Sequence, residues 1–109
     1  MMSVEMIMQK MVDSIKLSLK DRLNKVILYG SMARRDNNPE SDFDCIVFVD
    51  SIDNEVMDAI DECAAGMLIN SGAVFSIIPV TASDFNELKF NPLYININRE
   101  GVVLWQKTA

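Results

Sequence analysis

The chain has no histidine among its 109 residues. That absence removes His-ligated zinc sites, Ser-His-Asp and Cys-His catalytic arrangements, and imidazole general bases together. Cysteine is scarce: Cys45 and Cys63 are the only two, and they do not share a metal-binding spacing. Cys45 lies in an apolar strand pattern and Cys63 on the apolar side of a helix pattern. Both read as buried free thiols, a usage that fits a reducing compartment. Positive charge is also short, with 10 Lys and Arg against 16 Asp and Glu for a net charge of −6. This argues against the broad basic face that binds nucleic acid through its phosphates, although Arg34 and Arg35 form a small local cluster. No apolar run approaches the roughly 20 residues that span a bilayer. The N-terminus lacks a basic-then-apolar signal pattern. The expectation is a soluble, cytoplasmic protein with no membrane partner and no extended nucleic-acid-binding surface.

What the chain does have is hydrophobicity: half of its residues are apolar. A chain of this length fits one domain spanning 1–109, able to bury roughly 60–70% of its unfolded surface without disulfides or a structural metal. Val4, Ile7, Met8, Met11, Val12, Ile15 and Leu19 recur at helical spacing and predict an amphipathic helix from Ser3 to about Arg22. Its methionines read first as core and second as an adaptable partner surface. Residues 25–29 (KVILY) read as an interior strand, and residues 43–49 as a second strand buried on both faces. Asp53 caps a predicted helix to about Asn70, stopped by Asn70-Ser71-Gly72. Residues 73–80 form a third strand in which Pro79 belongs on an edge or near the end. Thr81-x-x-Asp84 has the form of a capping box. Asn91-Pro92 opens another helix, ended by Gly101, and residues 102–106 close as a fourth strand. The pattern is α/β (α+β): a small mixed sheet of about four strands flanked by helices.

One stretch carries chemistry. Gly30-Ser31 ends an apolar strand and opens a predicted short helix from Met32, with Arg34 and Arg35 within its first turn. After a polar loop over 36–41, Asp42 and Asp44 open the next strand. Alternation on a strand points these two carboxylates the same way while Phe43 enters the core. At about 6 Å apart they repel by roughly 3 kcal/mol at an effective dielectric near 20, a cost that a bound cation relieves. Carboxylates without His or Cys nearby suit a hard ion, Mg²⁺ or Mn²⁺. The helix start after Gly30-Ser31 offers free N–H groups to phosphate oxygens. The bland alternative makes Gly-Ser a simple turn and the two aspartates solvated strand-end charges. The two motifs together, flanked by strands, favour phosphoryl or nucleotidyl transfer.

Gly30-Ser31, ten intervening residues and Asp42-Phe43-Asp44 resemble the Gly-Ser-x10-Asp-x-Asp signature of the polymerase-β-like nucleotidyltransferases. The string LYGSMARRDNNPESDFDCIVFV and the tail PLYININREGVVLW are similar to the minimal nucleotidyltransferase (MNT) group within them. The resemblance implies the polymerase-β-like fold. It also implies phosphate binding by Gly30 and Ser31, to which Arg34 adds positive charge from within a turn, and catalytic metal coordination (Mg²⁺ or Mn²⁺) by Asp42 and Asp44. ATP, or another nucleoside triphosphate, is the implied substrate. Fully active members add a third carboxylate on a neighbouring strand. Here that strand offers Ser76, a poor metal ligand, with Asp84 or Glu87 as substitutes only if they fold back.

The resemblance further implies an adenylyltransferase that modifies a tyrosine of a helical HEPN-type partner, acting as the antitoxin of a toxin–antitoxin pair. The first helix and the segment around Tyr94 and Trp105 are the candidate contacts with that partner; homo-oligomerisation is the other assembly considered. A second reading keeps nucleotide binding without turnover, neutralising the partner by complex formation. A third, an antibiotic or other small hydroxylated acceptor, lacks an accessory domain to hold it.

Overall fold

The computed structural model describes residues 3–30, 42–87 and 89–108. Ser31, the helix expected from Met32, Arg34, Arg35 and the loop over 36–41 lie outside the described residues.

Helix α1 (Val4–Leu19) begins where the Ser3 hydroxyl accepts the Met6 N–H at 3.2 Å. It buries Met11, Val12, Ile15 and Leu19, whereas Val4 in the first turn stays exposed. The helix is shorter than its periodicity predicts, because residues 20–22 tighten into a 3-10 turn. Strand β1 (Leu23–Tyr29) consequently starts two residues before the expected Lys25. Strand β2 covers Phe43–Val49 as expected. Helix α2 (Asn54–Ser71) is capped by Asp53, whose carboxylate accepts the Val56 N–H at 3.0 Å. It ends at Gly72, which has φ 73° and donates its N–H to the Leu68 carbonyl. Strand β3 (Phe75–Val80) starts two residues later than Ala73. Helix α3 (Ala82–Glu87) follows, with the Asp84 N–H donating to the Thr81 hydroxyl. Helix α4 (Pro92–Glu100) has Asn91 as its cap, and strand β4 (Val102–Gln106) comes last.

The sheet is mixed, in the order β3-β2-β1-β4. Strand β1 pairs antiparallel with β2 and β4, and β2 pairs parallel with β3. Both apolar strands, β1 and β2, are therefore interior, and Pro79 sits on an edge strand as its missing N–H requires. Alternation divides the side chains between two cores. Phe43, Cys45, Val47 and Val49 of β2 join Val26 and Leu28 of β1 beneath α1 and α2. Ile27, Ile46, Val80 and Ile97 form a smaller core on the other face, with Tyr29, Phe48, Phe85 and Tyr94 packed against it. Both thiols are free and buried, and burial pushes Cys45 up to about 12. Among the described residues no helix is long and apolar enough to cross a membrane.

Candidate active site

Strand register brings the two halves of the motif together. Tyr29, the last residue of β1, pairs with Asp44 of β2, so Gly30 comes out of its strand directly beside that carboxylate. Gly30 has φ +77°, a conformation that favours glycine. A Cβ built there would lie 2.8 Å from Asp44 Oδ2, so the turn also needs a residue without a side chain to admit the carboxylate. Gly30, Asp42 and Asp44 are thus assembled at one end of the sheet.

The expected alternation holds. Phe43 enters the larger core and stacks on Phe75 with ring centroids 4.6 Å apart. Its N–H donates to the Val74 carbonyl at 2.9 Å, fixing the backbone between the two aspartates to the start of β3. Asp42 is exposed and Asp44 half-buried. Partial burial, and secondarily the Asp42 charge, raise the Asp44 carboxyl above the ordinary carboxylate value. Two like charges, one of them partly desolvated, fit a hard divalent cation, because an ion offsets both penalties at once.

Parallel register places Ser76 opposite Asp44. It is exposed, and it occupies the position from which a β3 side chain would meet the carboxylate pair. Asp84 does not fold back toward it. The cleft that Asp84 lines, about 550 Å³, also contains Asn24, Asp50, Ser51 and Thr81. Those residues lie at the other end of the strands, where Phe48 pairs with Val80, roughly 13 Å from Asp44. Glu87 is exposed on α3, whose Phe85 packs edge-on against Phe48 at 5.2 Å. Among the described residues no group of three or more His, Cys, Asp or Glu side chains is placed to hold an ion.

Sequence reasoning missed Tyr29 as a neighbour of the site. Its phenol is held above the ordinary tyrosine value, by burial first and then by the Asp44 charge, with Cys45 and Tyr94 adding to it. The period-2 pattern places Tyr29 at a strand end, but only the β1–β2 register reveals that it faces Asp44.

Comparisons with known proteins bear on the fold and the family. The model of the Polymerase beta nucleotidyltransferase family matches residues 13–108. A protein of Methanocaldococcus jannaschii, provisionally named a protein adenylyltransferase, is 33% identical over 104 residues, covering 95% of this chain and all of that protein. A solved toxin–antitoxin structure with AMP-PNP superposes with a TM-score of 0.63 at 18% identity, over 93% of this chain and 74% of that one. A tri-AMPylated HEPN toxin from Shewanella oneidensis in complex with its MNT antitoxin gives a TM-score of 0.58 at 15% identity, over 95% and 74%. The fold, the family match and the archaeal relative agree: the chain belongs to the polymerase β nucleotidyltransferase family.

Proposed function

We propose that the protein transfers AMP from ATP to a tyrosine hydroxyl of a helical HEPN-type partner and thereby acts as its antitoxin. The observation that carries this reading is the left-handed Gly30 packed against the Asp44 carboxylate, which joins a phosphate turn to a carboxylate pair. The archaeal relative's name and the AMPylated toxin complex support adenylyl transfer and this class of acceptor.

In this reading residues 1–109 form one minimal nucleotidyltransferase domain working in the cytoplasm. Gly30, Ser31 and Arg34 bind the triphosphate, and Asp42 and Asp44 hold Mg²⁺ or Mn²⁺. When bound, such an ion neutralises phosphate charge and orients the α-phosphorus. The chain itself supplies the anchoring. Gly30 leaves room for close backbone approach, the Phe43–Val74 hydrogen bond fixes the backbone between the two aspartates, and burial together with the Asp42 charge leaves Asp44 in need of a cation. The acceptor tyrosine comes from the partner.

Ser76 favours a second reading, in which the protein binds nucleotide weakly or without turnover and neutralises its partner by complex formation. One experiment separates the two. The purified protein is incubated with labelled ATP, Mg²⁺ and the product of the neighbouring gene, and that product's tyrosines are examined by mass spectrometry. Transfer that disappears in Asp42→Ala and Asp44→Ala supports the enzyme. A stable complex with no transfer in Mg²⁺ or Mn²⁺ supports the second reading.

A further inference from the structure

Asp44 has a cross-strand neighbour on each side, and the two differ greatly in size. Across the antiparallel pair stands Tyr29, and across the parallel pair stands Ser76. Directly opposed residues in an antiparallel pair hold their Cβ atoms about 5 Å apart, so the phenol ring flanks the carboxylate. The short Ser76 side chain leaves the other flank open.

The ring has little freedom to move away. Tyr29 packs against the small core of Ile27, Ile46, Val80 and Ile97, as Tyr94 of α4 does. Tyr94 is fixed edge-on to Phe85 at 5.1 Å, and Phe85 is fixed edge-on to Phe48 at 5.2 Å. The Asp44 carboxylate lies against the Gly30 backbone, with Oδ2 2.8 Å from where a Cβ would stand.

We propose that Tyr29 is a positioning residue for the nucleotidyl transfer inferred above, a role that rests on that reading. Its ring, backed by Tyr94 and the small core, closes the inward side of Asp44 and leaves the carboxylate the orientation against Gly30. The operative property is the bulk of the ring, not the hydroxyl.

The test is Mn²⁺ binding to the full chain in the presence of ATP, followed by electron paramagnetic resonance. Three variants are used: Tyr29→Val, which keeps a strand-forming residue but removes the ring, Tyr29→Phe, and Ile15→Ala. The last removes a fully buried side chain from the larger core, on the other face of the sheet. Tyr29→Val is expected to weaken Mn²⁺ by about tenfold or more, the usual cost of losing a residue that orients a metal ligand. Tyr29→Phe should bind as the wild type does, and Ile15→Ala should melt earlier with the Mn²⁺ affinity of its folded fraction intact. Wild-type affinity in Tyr29→Val overturns the proposal. So does a loss in folded Ile15→Ala equal to that in Tyr29→Val, which would mean general loosening of the fold. Equal losses in the Phe and Val variants would assign the effect to the hydroxyl and overturn it as well. A wild-type protein that binds no Mn²⁺ with ATP overturns the underlying reading of the site, and this one with it.

Discussion

Beneath α1 and α2, one face of the sheet closes over seventeen buried residues among those described, while beneath α3 and α4 the other face closes over four, with half-buried aromatics around them. Asp44 and Ser76 belong to the second face. At roughly 25 cal/mol per Å² of apolar surface buried, the first face must dominate stability. The second can then leave a carboxylate half-solvated, which a well-packed interior would not tolerate without a partner. The difference teaches that the fold and the site draw on separate sets of residues, and variants can test how separate they are.

The largest effect should come from the thick face. Ile15→Ala removes a fully buried side chain and is expected to cost about 2–5 kcal/mol in urea denaturation. The folded fraction should bind Mn²⁺ and ATP unchanged. Weakened binding there would break the separation. On the thin face, Gly101→Ala places a methyl group against the Ile97 carbonyl and within 2.7 Å of Ile27 Cγ2. It should cost about 1–3 kcal/mol by overpacking. Because α4 backs the aromatic cluster, ligand binding should fall with it. Gly30→Ala should cost less stability, about 1–2 kcal/mol for its left-handed backbone, yet reduce ATP and Mn²⁺ binding more than Gly101→Ala does, measured by calorimetry.

The smallest effect is in pH dependence, and its sign differs between the faces. Asp53, which caps α2, is held below the ordinary carboxylate value, chiefly by the hydrogen bond from Arg22 at 2.9 Å. Its contribution is complete above the ordinary value and is lost as pH falls through the lower folded one. Asp44 is raised, so its contribution is present below the ordinary value and lost as pH rises through the folded one. Asp53→Asn should therefore flatten the acid limb of the stability curve. Asp44→Asn should instead stabilise the ion-free protein at neutral pH relative to the wild type. Urea midpoints measured from about pH 2 to about pH 7 check both.

Most of the element pattern was legible because periodicity and caps coincided. Ser3, Asp53, Gly72, Thr81 and Asn91 all act at the helix ends that their residue types announce. Both interior strands were recognisable from apolarity on two faces, and the carboxylate pair from alternation. What failed was decided by partners distant in sequence. Polar Asn24 hid the true start of β1, although it belongs there because its amide donates to Asp50 and its carbonyl accepts the Lys107 N–H. The parallel β2–β3 register, which sets the expected Ser76 against Asp44, also sends Asp84 to the far end, and that placement depends on how α2 crosses the sheet and has no local signal. Tyr29 was missed for the same reason: its importance lies in a pairing rather than in a motif.

The hydrogen bond from the Phe43 amide to the Val74 carbonyl has a thermodynamic consequence. It sits between the two aspartates, and the Phe43 ring below it is locked against Phe75. That amide should exchange with solvent deuterium among the slowest at this end of the sheet, opening only with the strand pair itself. A backbone so restrained loses little further conformational freedom when a cation arrives. Ordering of the carboxylate pair is thus charged to folding rather than to ligand capture, and ion binding here should carry a small entropic penalty.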